Sequence, residues 1–148
     1  MLPRTQLVMF LIMVLVGILF NPMNILAYRL NDIYLSLTLF YSGLLMAANM
    51  IWAHELVHYF TKGHIDYRVF GIGITLSILI SVLLLRNQWM VDDKNWLRRM
   101  IGHHSTAITT TKQLLNSGNH FDNPAIFRLA KDIILNQEME ILLMKSML

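Results

Sequence analysis

The chain has 148 residues, 55% hydrophobic, 14% charged and 10% aromatic, with no Cys and a mean hydropathy of +0.50. A soluble domain carries about 25% charged residues, so this composition excludes an ordinary water-soluble enzyme, a disulfide scaffold, a Cys-based zinc module and a disordered tail. A formal net charge of +3, with no run of five like charges, leaves no nucleic-acid footprint.

The long apolar runs lie in the first half of the chain. A bilayer core about 30 Å thick needs roughly 20 apolar residues in a helix. Leu7 to Phe20 is uninterrupted but short, and reaches spanning length only by continuing through Asn21-Pro22 to about Tyr28, with a kink at the proline. A secretory signal peptide is the rival, with Arg4 as its charged start. No small-x-small cleavage site follows, which favours an uncleaved anchor. Ile33 to Ala53 offers 21 residues without a charge, and Val69 to Leu85 offers 17, with Gly71, Gly73, Ser77 and Ser81 available for close helix contacts. Tyr28, Tyr34, Trp52, Tyr59, Tyr67 and Trp89 fall near the run ends, as in an aromatic belt. The expectation is an all-α, multi-pass membrane protein. Its transmembrane region is 1–90, with spans at about 5–28, 33–53 and 69–86. Lys and Arg are nearly balanced between the two sides, so charge leaves the orientation undecided.

At the end of the second run, His54-Glu55-Leu56-Val57-His58 matches H-E-x-x-H. On a helix that spacing puts both imidazoles on one face, with a carboxylate beside them as base for a zinc-bound water. A catalytic zinc also needs a third protein ligand and an open position. Asp66 is near in sequence but sits in a short loop, and the other two runs contain no Asp or Glu. The plainer interpretation is a polar helix end reaching headgroups and water; a second metal site at His54, Glu55 and His58 is the alternative.

Beyond Asp92 the pattern becomes an amphipathic helical hairpin, 91–148. Leu97, Met100, Ile101, His104, Ile108 and Leu115 recur at spacings of three and four. Asp92 or Asp93 is the expected N-cap and Gly118 lies past the expected end. The second helix opens with Asn123 as N-cap and Pro124 at the first helical position. If the helices pair antiparallel across a short link, Met100 lies level with Met139 and Glu140, and His104 within a turn of Gln137. Met100, His103 and His104 then share one side of the first helix, facing Gln137, Glu140 and Met144. The outer edge of the second helix (Ile126, Leu129, Leu142, Leu143, Leu148) needs cover, since so short a hairpin has little core of its own. A second copy or a larger membrane assembly would supply it.

The stretch from Asp93 through Trp96, Met100, His103-His104 and Ala107-Ile108, followed by Ile133-Ile134, Gln137, Glu140-Ile141 and Met144, resembles the domain of unknown function 305 family. It is similar to the membrane-anchored branch of that family. The resemblance implies a ferritin-like helical fold and a His/Met site for copper. Carried over by position, the ligand set is Met100, His103 and His104, with Gln137, Glu140 and Met144 opposite. Gly102 stands where the family usually has Pro, and Thr110 where many soluble members have Met. Imidazole and thioether favour Cu(I), while an added carboxylate would also admit zinc or Cu(II). Against this stands a plain packing role, with His104 as a polar link across the hairpin and the Met side chains filling gaps in the core.

The leading expectation is therefore a small membrane-anchored protein that binds a metal ion, copper first and zinc second, without catalysis. An accessory or structural subunit of a larger assembly, in a virion or organelle membrane, is the alternative. A zinc metallopeptidase is third. The expected partners are the lipid bilayer and further protein subunits, second copies included.

Overall fold

A computed structural model of the chain describes residues 3–117 and 123–148. It is helical, with no strand among the described residues. The helices are α1 (Pro3–Leu19), α2 (Pro22–Ile25), α3 (Leu37–Lys62), α4 (Tyr67–Leu79), α5 (Asp93–Asn116) and α6 (Pro124–Ser146). A 3-10 turn covers Leu30–Asp32, and α4 runs on as π-helical turns over Ile80–Arg86. The chain forms two compact units: residues 1–21 with 37–91, and residues 22–36 with 92–148.

In the first unit α3 packs against both α1 and α4, and small residues set how closely. A Cβ on Gly17 would lie 2.9 Å from the Gly43 Cα, and one on Gly43 would meet the Val14 carbonyl oxygen at 2.9 Å. Gly73 does the same for α4, where a Cβ would sit 2.9 Å from the Trp52 backbone nitrogen. Without side chains at these points the backbones approach closely and dispersion contacts accumulate. Gly71, expected to serve in the same way, faces open space. The segment after the π turn is held to α3 by the Thr38 hydroxyl donating to Gln88 Oε1 (2.9 Å) and the Tyr41 hydroxyl donating to the Trp89 carbonyl (2.7 Å).

Two segments are long and apolar enough to cross a membrane: Arg4–Ile25 (22 residues, mean hydropathy 2.2) and Tyr67–Arg86 (20 residues, mean hydropathy 2.3). Only 11% and 17% of these windows is buried, unlike the core helix of a soluble protein. The expectation of three spans is corrected to two. The run at 33–53 is not one apolar helix. Ile33 to Ser36 precedes α3 and belongs to the other unit, and α3 continues to Lys62 through Asn49, His54, Glu55 and His58, which dilute its apolar character. The first segment breaks where the proline predicts: α1 ends at Leu19 and the helix restarts at Pro22.

The second unit is built on the α5–α6 hairpin. Asp92 caps α5 by accepting from the Asn95 N–H (2.8 Å). Asn123 caps α6 by accepting from the Ala125 N–H (2.9 Å), with Pro124 opening the helix. Gly118 lies outside the described residues. Leu97, Ile101, Ile108, Ile141 and Met144 form the core, with Tyr34 and Met100 packed against it. Tyr34 comes from the 22–36 segment, which the sequence presents as a mere link between spans. Tyr28 also belongs to this unit: its backbone N–H donates to Ser105 Oγ (2.7 Å) and its hydroxyl accepts from Lys112 Nζ (2.7 Å).

Candidate functional site

On the hairpin the six expected ligands divide. Met144 is buried and Met100 half-buried, both within the apolar cluster of Leu97, Ile101 and Ile141. His103 is exposed, its ring in edge contact with that of His104 at 6.0 Å between centroids. Gln137 is half-buried and Glu140 exposed on α6. One polar pair meets across the seam: His104 Nδ1 lies 2.9 Å from Glu140 Oε2. The approach is off the line along which a ring N–H would donate, so the contact has ion-pair distance without a well-aligned hydrogen bond. Glu140 faces His104, about one helical turn from the expected position beside Met100.

Burial pushes the His104 imidazole below its ordinary value. The Glu140 carboxylate pulls the other way, and His103 adds a smaller downward push. Burial prevails because the Glu140 side chain is half exposed and water screens its charge. Burial thus favours the neutral form of this imidazole. Among the described residues, no three His, Asp or Glu side chains converge to hold a metal ion.

The residue at the centre of this unit's polar network was not singled out by sequence. Asp32, in the 3-10 turn, is 1% exposed. Its Oδ1 accepts from Lys145 Nζ at 2.6 Å and its Oδ2 from Ser105 Oγ at 2.7 Å. The carboxylate therefore ties the 22–36 segment to both hairpin helices. A signal did exist: Asp32 is an isolated acid in an apolar stretch, and Lys145 a lone cation beside the apolar stripe of α6.

The H-E-x-x-H residues lie in the first unit, at the end of α3. His54 and His58 stack at 5.7 Å between centroids. Glu55 turns inward, is 6% exposed, and its Oε2 accepts the Asp66 backbone N–H at 3.1 Å. That bond joins the end of α3 to the cap of α4, where Asp66 Oδ1 accepts from the Arg68 N–H (3.0 Å). Glu55 Oε2 is thus engaged in closing the turn.

The domain of unknown function DUF305 matches residues 85–148. Uncharacterized protein L153 of Acanthamoeba polyphaga mimivirus is 37% identical over 129 residues, which is 86% of this chain and 81% of that protein. The chain belongs to the DUF305 family. No solved structure matches it.

Proposed function

We propose that this is a small integral membrane protein with a structural or accessory part in a membrane assembly, its hairpin being the surface on which that assembly is built. The observation that carries the reading is that α6 is apolar on two opposite faces. Ala130, Ile141 and Met144 are buried, while Leu129, Leu135, Met139, Leu142 and Leu143 are each 57–64% exposed on the other side. A helix apolar on both sides is fitted to pack on both sides. A second copy is the proposed cover, bringing four helices around a common core. The same reading places the Arg4–Ile25 and Tyr67–Arg86 segments in a bilayer with α3 packed between them, a multi-pass arrangement. A virion or organelle membrane is the setting this reading proposes. The test is the mass of the full chain in mild detergent. Replacing Leu135 and Leu142 with Glu should reduce an oligomer to a monomer at unchanged helical content.

A second reading rests on a different observation, the His104–Glu140 pair. His104 Nδ1 and a Glu140 carboxylate oxygen 2.9 Å away are two donors of the kind that copper or zinc takes, and His103 adjoins them. Met100 and Met144 would have to leave the apolar cluster to join. Replacing His103 and His104 with Ala should abolish copper stoichiometry and leave assembly intact if this reading holds. If the pair serves only the fold, the loss should be of stability, with or without metal.

A further inference from the structure

The α3–α4 turn encloses a cavity of about 80 Å³ whose lining is His54, Glu55, His58, His64 and Asp66. All five are residue types that bind metals, and no apolar side chain shares the wall. We propose that this turn is a binding site for a borderline divalent cation of the zinc class, with His54, His58 and His64 as imidazole ligands and a carboxylate completing the set. It differs from the hairpin seam in its donors: no thioether is present, so the donor set selects zinc rather than Cu(I).

The local fold puts the donors there. His54 and His58 are four residues apart on α3, and their rings already lie side by side, 28° from parallel. Such i, i+4 pairs chelate one ion from a helical surface. Gly63 takes a φ of +67°, which ends α3 and turns the chain so that His64 and Asp66 return to the same cavity. Glu55 supplies the electrostatic reason for a cation. Its carboxylate is almost wholly buried, with one backbone N–H on Oε2 and the His54 Nδ1 3.9 Å from Oε1. A buried carboxylate is costly unless charge or hydrogen bonds compensate it, and an ion in the adjoining cavity would do so. No three of these side chains converge on one point as they stand; binding an ion requires the imidazoles to rotate into the cavity. Bound there, zinc would staple the end of α3 to the start of α4.

The test uses the full chain in detergent, stripped with chelator, in a His103→Ala, His104→Ala background that removes the hairpin imidazoles. Zinc sulfate is titrated against a chromogenic zinc chelator at pH 7.5. One zinc per chain is expected. His58→Ala should weaken it by roughly 100-fold or more, since even partners one shell removed from a metal cost 10–100-fold. His64→Ala should act likewise, and because His64 is exposed in a turn that variant keeps its fold, as circular dichroism would check. Absence of stoichiometric zinc in the background protein overturns the proposal, as does an affinity unmoved by His64→Ala. Neither outcome touches the assembly reading, which depends on α6.

Discussion

Removing Asp32 should release the 22–36 segment from the hairpin. The carboxylate is 1% exposed and bonded to Lys145 Nζ at 2.6 Å and Ser105 Oγ at 2.7 Å, whereas the Lys145 side chain keeps 26% exposure. Breaking a buried pair by deleting one partner costs about 3–5 kcal/mol, chiefly because the other charge is stranded. Lys145 is partly wet and can turn to water, which lowers the figure for Asp32→Asn to about 2 kcal/mol. Lys145→Met strands the more deeply buried member, so its cost should be larger, about 3 kcal/mol. The double variant should lose far less than both together, giving a coupling of about 2 kcal/mol. The assay is hydrogen exchange of the full chain in detergent, read on peptides covering α5 around Ser105. A loss of about 3 kcal/mol appears there as exchange roughly 100-fold faster. A coupling under about 0.5 kcal/mol would refute the reasoning, since it would make the pair no more than an exposed ion pair.

Helix packing in the first unit gives a contrast. Gly43→Leu should destabilise by about 1–3 kcal/mol, because its Cβ would meet backbone at 2.9 Å and α1 would have to move. Gly71→Ala, facing open space, should be neutral or stabilising by about 0.5–1 kcal/mol; thermal melts in detergent compare them. The depressed basicity of His104 gives a pH dependence. Its folded-state value lies below the ordinary 6.5, so its contribution is intact above that pH. It is lost as pH falls toward the folded value, because the unfolded chain takes the proton first. The hairpin should therefore weaken as pH falls below the ordinary 6.5, and His104→Gln should flatten that slope; an unchanged slope would assign it to other groups.

Much of this architecture is legible in the residues. The caps at Asp92 and Asn123, the proline break at Pro22 and the unpaired outer edge of α6 follow from local chemistry that tertiary context does not override. The spans are harder. A charge-free run at 33–53 reads as the firmest of the three, yet hydropathy does not reveal that Ile33 to Ser36 folds with residues sixty positions or more away. Hairpin register is not fixed by helical periodicity alone: Glu140 meets His104, one turn from the place beside Met100. Methionine is ambiguous in sequence because a thioether serves equally as ligand or filler; the structure adds that Met100 and Met144 pack in the apolar cluster of the hairpin. The His54–Asp66 cavity joins a familiar spacing to two residues from a loop, and the spacing alone does not announce His64.

The outer face of α6 is where the account is most exposed to refutation. Light scattering of the full chain in mild detergent at micromolar concentration should give a mass at least twice that of one chain, falling to one chain in the Leu135→Glu, Leu142→Glu variant with helicity preserved. A wild-type protein that stays monomeric, with its α6 leucines in contact with nothing, would contradict it.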